Sequence, residues 1–192
     1  MTGFLKYHGL GNDFVLLDRL AGGEPPSAQQ AVAACDRRRG IGADGVLTVL
    51  PSDRAVARMH VTNSDGSVAE MCGNGLRCVV RYLAERKGVG GETLTVETGA
   101  GPKECSVHRR DGRIEEIGVE MGAPILTPAR IPMAAPGERF VSGELSAGGR
   151  TLRGTAVSMG NPHLVLFDLE EAVARELAPL LERHPLFPAR TN

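Results

Sequence analysis

The rhythm of apolar and polar positions changes several times along the chain, and each change marks an element. Residues 4–8 and 12–18 alternate or run apolar on either side of Gly9-Leu10-Gly11, which predicts a β-hairpin closed by a glycine-rich turn. Gly22-Gly23-Glu24-Pro25-Pro26 reads as a loop. Ser27 is placed to cap a helix over 28–38, with Ala31, Val32, Ala34 and Cys35 facing inward. Strands follow at 46–50 and 55–62, and an Asp65-Gly66 turn comes next. From Asn74 to Lys87 the spacing becomes helical: Leu76, Val79, Val80 and Leu83 recur at threes and fours, and Gly88 is the stop signal. Residues 93–97, 104–109 and 113–121 read as strands, the last two joined by the hairpin signal Asp111-Gly112. Residues 122–150 are rich in Pro and Gly. A boundary at Gly122-Ala123-Pro124 gives an N-terminal domain, 1–121, and a second domain, 122–192.

The second part echoes the first. Gly160-Asn161-Pro162-His163-Leu164-Val165-Leu166-Phe167-Asp168 repeats the order of Gly11-Asn12-Asp13-Phe14-Val15-Leu16-Leu17-Asp18: Gly-Asn, then a strand ending in Asp. A helix over about 170–183 follows and ends near His184-Pro185. Such a repeat implies duplicated structure. At the spacing of Asn12 to Asn161, a counterpart of Cys72 falls beyond Asn192. The expectation is one full copy and part of a second.

Composition narrows the function. The chain has 192 residues, 42% hydrophobic and 23% charged, the profile of a soluble globular protein. A formal net charge of −1 gives no electrostatic case for nucleic acid or an anionic membrane. With five Phe, two Tyr and no Trp, a base-stacking surface is not expected. No apolar run reaches the length of a membrane span, and Met1-Thr2-Gly3-Phe4-Leu5-Lys6 lacks a signal-peptide core. A cytoplasmic protein with reduced thiols is expected. The four cysteines, Cys35, Cys72, Cys78 and Cys105, form no CxxC pair, and no Cys/His cluster has zinc spacing. Cys35 and Cys105 read as packing residues.

Candidate chemistry centres on Cys72. It opens the predicted helix, where free N–H groups and the positive end of the helix dipole favour an anion. That anion is either the cysteine's own thiolate, with its pKa lowered, or a substrate carboxylate held by the N–H groups of Gly73, Asn74 and Gly75. The plainer reading is a buried packing cysteine. Against it stand the two glycines of Gly73-Asn74-Gly75, each costing up to about 1 kcal/mol relative to Ala in a helix; they let a ligand approach the backbone. Asn12 reads either as turn chemistry or as an amide aimed at a polar ligand. Arg37-Arg38-Arg39 reads as a solvated helix end before a carboxylate-binding patch. Gly9-x-Gly11 lacks the third glycine of a dinucleotide fingerprint and leads into a strand, and Gly40-Ile41-Gly42-Ala43-Asp44-Gly45 lacks the Lys-Ser/Thr and helix of a phosphate loop.

Five stretches, taken in order, carry a resemblance: His8-Gly9-Leu10-Gly11-Asn12-Asp13-Phe14; Gly40-Ile41-Gly42-Ala43-Asp44-Gly45; Asn63 with Asp65-Gly66-Ser67; Glu70-Met71-Cys72-Gly73-Asn74-Gly75; and Ser158-Met159-Gly160-Asn161-Pro162-His163. Together they resemble the diaminopimelate epimerases, cofactor-independent isomerases of the lysine and cell-wall pathway. The resemblance implies an α/β (α+β) fold of two similar domains, each a curled, mostly antiparallel sheet around a central helix, with the second incomplete here. It implies a site between the domains, with one cysteine from each acting as base and acid on diaminopimelate. It makes Cys72 the catalytic thiol, Gly73 and Asn74 its backbone donors, and Asn12, Asn63, Asn161 and Asn192 binders of the substrate's polar ends. No metal or cofactor is implied.

Two departures qualify it. Gly45 stands where some members carry a substrate-contacting glutamine, so that role is not carried over. The second cysteine and a Glu-Arg pair for the substrate's far end have no counterpart in this sequence. The chain is thus expected to be a fragment, a truncated product, or half of a site completed elsewhere, and inactive alone. An unfinished second domain would leave apolar surface and strand edges open, so poor solubility or association, in the simplest case a homodimer, is expected. The competing readings are an epimerase or racemase of proline, hydroxyproline or histidine, and a non-catalytic amino-acid-binding fragment. A cysteine hydrolase would need His8, His60 or His163 as a base beside Cys72.

Overall fold

The computed structural model describes residues 3–192. The chain divides between Met121 and Gly122 into two compact units. The first is built on the hairpin of β1 (Leu5–Gly9) and β2 (Asn12–Asp18), whose pairing closes at Gly9 and Asn12. Leu10 and Gly11 form the two-residue turn with φ of 55° and 87°, the left-handed pair that matches strand twist.

α1 (Ala28–Cys35) begins as predicted. Ser27 accepts from the Gln30 N–H, and the Gln30 side chain accepts from the Ser27 N–H, a complete capping box. It ends three residues early, because Asp36 caps it and the Asp36 carboxylate accepts the N–H groups of Arg38 and Arg39 at 2.7 and 2.9 Å. The basic run therefore lies past the helix. Ala31 and Cys35 are buried and Ala34 is half-buried, whereas Val32 faces water.

β3 (Gly45–Leu50) pairs in parallel with β2, and β4 (Ala57–Asn63) pairs antiparallel with β3, placing Gly45 opposite Asn63. The short β5 (Val68–Ala69) adds to β4. After α2 (Gly73–Arg86) come β6 (Thr93–Thr98), β7 (Gly101–Arg110) and β8 (Arg113–Val119). The sheet runs β1-β2-β3-β4-β6-β7-β8, antiparallel except at β2·β3 and β4·β6. α2 packs against β1 and β8, the two ends of that order, as well as β2, β3, β4 and β6. A sheet whose ends meet one helix must curl around it. Leu76, Val79, Val80 and Leu83, the predicted apolar face, are fully buried among Phe14, Leu16, Leu47, Met59 and Val61. At the far end of the helix Tyr82 donates to Asp18 at 2.7 Å, and Lys87 pairs with the same carboxylate at 2.5 Å.

The second unit holds β9 (Gly143–Ala147), β10 (Arg150–Ser158) and β11 (Pro162–Val165) in the order β11-β10-β9, with α3 (Glu171–Glu182) against β9. Its core gathers Ile131, Leu145, Ala156, Leu177, Leu181 and Phe187. β9 and β10 were not expected in the Pro/Gly-rich stretch. Their signal is Gly148-Gly149, a tight turn with φ of 57° and 72°. β11 stops at Val165 and does not run to Asp168, which adopts a left-handed φ of 56° that interrupts extended chain. Gly160-Asn161 sits at the β10–β11 hairpin as Gly11-Asn12 sits at the β1–β2 hairpin. No described helix is long and apolar enough to cross a membrane.

Leu83 is fully buried on the wrapped helix. Leu83→Ala is expected to lower the unfolding free energy by about 2–5 kcal/mol through lost burial and a residual cavity, measured by urea unfolding followed by circular dichroism.

Candidate active site

Three strands and one helix end converge at one edge of the first unit. β2 starts there with Asn12, β3 starts there with Gly45, β4 ends there with Asn63, and α2 starts there behind Cys72. Cys72 is the N-cap, in extended conformation, and its Sγ accepts the Gly75 N–H at 3.4 Å. The Leu76 N–H bonds the Cys72 carbonyl. The N–H groups of Gly73 and Asn74 have no acceptor in the helix's own ladder, and none among the described backbone groups, the arrangement in which a helix start receives an anion.

The two glycines do different work. A Cβ on Gly75 would lie 2.8 Å from Leu47 Cδ2, so Gly75 lets the helix seat on β3 and offers no ligand access. A Cβ on Gly73 would meet only Met121 Sδ, at 3.9 Å, so the opening is at Gly73.

Asn12 joins the sulfur to the sheet. Its Oδ1 lies 3.9 Å from Cys72 Sγ and accepts Asn74 Nδ2 at 3.4 Å. Its Nδ2 donates to Asp44 Oδ2 at 2.9 Å. The Asp13 N–H reaches the same oxygen at 3.0 Å. Arg37 bridges Asp44 Oδ1 at 2.8 Å and Asp13 Oδ1 at 2.6 Å, and Lys6 pairs with Asp13 at 2.5 Å. Hydrogen bonds from Arg37, and then from Lys6, hold the Asp13 carboxyl well below its ordinary value of 3.8. Asp44 is lowered first by the Asn12 amide and then by the Asp13 N–H.

Asn63 has a frame of its own. Its Nδ2 donates to Ser67 Oγ at 3.0 Å, and that hydroxyl donates to Asp65 Oδ1 at 2.5 Å. Asn161 and Asn192 belong to the second unit. Asn161 Oδ1 lies 3.0 Å from His163 Nε2, and Asn192 Nδ2 donates to the Pro162 carbonyl at 3.1 Å. Asn12 thus touches both Cys72 and Asn74, Asn63 shares their sheet edge, and Asn161 and Asn192 both border β11.

Sequence reasoning gave no role to Lys6, Asp13, Asp44 or Arg77, which donates to Asn74 Oδ1. Arg37 does bind carboxylates, but those of Asp13 and Asp44, so the helix-end reading of the basic run does not hold for it. Cys35, Cys78 and Cys105 are buried, and burial pushes Cys78 and Cys105 up to about 11. Among the described residues, no histidine hydrogen-bonds Cys72, so the hydrolase reading has no base at the sulfur. No group of three or more described His, Cys, Asp or Glu side chains could hold a metal ion.

The fold defines the class. A hydroxyproline epimerase from Agrobacterium vitis superposes with a TM-score of 0.66 over 97% of this chain and 63% of that one; at 17% identity the likeness is one of fold. The protein has the curled, mixed α+β fold of that epimerase. The particular family follows from sequence. The diaminopimelate epimerase family profile matches residues 4–127. Diaminopimelate epimerases from Moorella thermoacetica and Desulforudis audaxviator are 47% and 50% identical over 98% of this chain and 69% of each relative. The chain belongs to the diaminopimelate epimerase family. It spans 69% of the length of these curated relatives and less than two thirds of the structural neighbour.

Two measurements check this geometry. Iodoacetamide under native conditions is expected to label Cys72 well ahead of the buried Cys35, Cys78 and Cys105, as read by peptide mass spectrometry. Asp13 has a folded pKa below its unfolded one, so its stabilising contribution is complete above about pH 4 and lost as the pH falls further. Unfolding free energy is therefore expected to drop between pH 5 and pH 3, on the order of these ordinary carboxylate values. Asp13→Asn is expected to flatten that drop, seen in urea titrations at both pH values.

Proposed function

We propose that this chain carries one half of a cofactor-independent, two-thiol epimerase site that interconverts LL- and meso-diaminopimelate, in cytoplasmic lysine and cell-wall precursor synthesis. The observation that carries the reading is Cys72 at the N-cap of α2, its sulfur accepting the Gly75 N–H, beside the first-turn N–H groups of Gly73 and Asn74. The relatives at 42–50% identity bear the diaminopimelate epimerase name, whereas the likeness to the hydroxyproline epimerase is one of fold alone.

The chemistry assigns each residue type a task. The α-hydrogen of a free amino acid is weakly acidic. A thiolate at Cys72 takes it from one face, and the electron pair left on Cα spreads into the substrate carboxylate. The N–H groups of Gly73 and Asn74, helped by the positive end of the helix dipole, hold that carboxylate as its charge grows. A second thiol returns a proton to the opposite face. Net transfer is one proton off and one proton on, with no change of oxidation state. Asn12, Asn63, Asn161 and Asn192 bind the zwitterionic ends, since a neutral amide can face ammonium or carboxylate. The buried Cys35, Cys78 and Cys105 are not placed to serve as the second acid, so the chain alone does not complete the inversion.

Proton NMR of LL-diaminopimelate in D₂O under reducing conditions tests this. The chain alone is expected to form no meso isomer. Extending it with the C-terminal remainder of the Moorella thermoacetica relative is expected to give α-deuterium incorporation and meso product, both lost in Cys72→Ala. Retention of the α-hydrogen by the extended chain would overturn the substrate assignment, and exchange surviving Cys72→Ala would overturn the role of Cys72.

A further inference from the structure

The two ends of an asparagine amide are chemically opposite, and the groups around it decide which end a site meets. Ionised Asp44 can only accept. The atom of Asn12 that lies 2.9 Å from Asp44 Oδ2 is therefore the NH₂, and Asn12 Oδ1 points the other way. Arg77 can only donate. Its partner on Asn74 is therefore Oδ1, and Asn74 turns its NH₂ toward Asn12 Oδ1, 3.4 Å away. Donors thus run in one direction, from Arg77 through Asn74 and Asn12 to Asp44, and Arg37 closes the acidic end at 2.8 Å. Arg37 is 58% and Asp44 43% exposed, and ion pairs so open to water add little stability. What they supply is direction.

We infer that Asp44 and Arg77 are positioning residues that fix the polarity of the Asn12–Asn74 amide pair, so that the Asn12 carbonyl oxygen and not its NH₂ faces the Cys72 sulfur. The consequence for catalysis rests on the reading of Cys72 as the reacting thiol. A protonated Cys72 donates S–H to Asn12 Oδ1, and a charged Cys72 accepts the Gly75 N–H on its other side. A group that takes a proton in one direction of reaction and gives one in the other needs a partner for both states. A reversed amide would offer two donors to the sulfur and support only the charged one.

Each end of the chain of amides anchors Asn12 by itself, so the test is a double-mutant cycle of Asp44→Asn and Arg77→Met, read as the rate of Cys72 alkylation by iodoacetamide at neutral pH. Simple electrostatics predicts that removing the anion speeds the reaction, removing the cation slows it, and the double variant reacts at the product of the two ratios. The inference expects the double variant to exceed that product by about threefold or more, a coupling typical of residues in one hydrogen-bond network. A rate equal to the product overturns it. The unaltered chain gives a second reading should the double variant unfold. Nuclear Overhauser contacts are expected from the Asn12 NH₂ to the Asp44 β-protons, and contacts to the Cys72 β-protons in their place overturn the inference. Neither measurement contains substrate, so both stand or fall apart from the diaminopimelate assignment.

Discussion

Everything at the site depends on burying the apolar face of α2 inside the curled sheet. Leu76, Val79, Val80 and Leu83 have no exposed surface. Because β1 and β8 reach the same helix from opposite ends of the strand order, its axis has little room to shift. The Tyr82–Asp18–Lys87 contacts tie one end of the helix to the last residue of β2, whose first residue is Asn12. The other end is seated by the absence of a side chain at Gly75 against Leu47. A helix held at both ends delivers its first turn to a fixed place, and that place is the edge where β2, β3 and β4 present Asn12, Asp44-Gly45 and Asn63.

Local capping alone would favour another residue than cysteine. Ser, Thr, Asp and Asn are the favoured N-caps because a small oxygen reaches the N–H groups of the first turn well. Cys72 takes that position with a sulfur 3.4 Å from the Gly75 N–H. The helix keeps its start because tertiary burial, and not the cap, sets its stability. The core thus frees the N-cap to hold a reactive group. The same logic separates the four thiols: three are used as apolar filling and pushed toward the neutral form by burial, and the fourth stands half-exposed at the helix mouth.

Short-range chemistry made part of this legible. The Leu10-Gly11 and Asp111-Gly112 turns, the Ser27 cap and the α2 face follow from residues within a few positions of one another. The placement of Cys72 at a helix start follows in the same way, and the five stretches carry the family. The ends of α1 and β11 were misplaced because single residues mark them: the Asp36 carboxylate in one case, the left-handed backbone of Asp168 in the other. β9 and β10 were missed because Gly and Pro dominate the region around them. The charged frame was invisible for a different reason. Asn12 lies 32 residues from Asp44 and 60 from Cys72, and only the parallel pairing of β2 with β3 and the seating of α2 bring them together. Arg37 therefore read as part of a helix end, when its partners were two carboxylates from other segments.

The two Gly-Asn hairpins sharpen the point. Asn12 opens β2 and Asn161 immediately precedes β11, so each Gly-Asn pair puts an amide where a hairpin turn meets its second strand. What stands behind the amide has diverged. Asp44, an acceptor only, holds Asn12 by its NH₂. Asn161 Oδ1 lies 3.0 Å from His163 Nε2, a ring nitrogen that donates or accepts according to its tautomer, so this neighbour does not by itself fix the amide. Asp44, by contrast, is kept ionised by the Asn12 amide, the Asp13 N–H and Arg37. A shared backbone position can therefore locate an amide without saying which end it shows. That is decided by the neighbour, and it is where a shared fold parts from a shared chemistry.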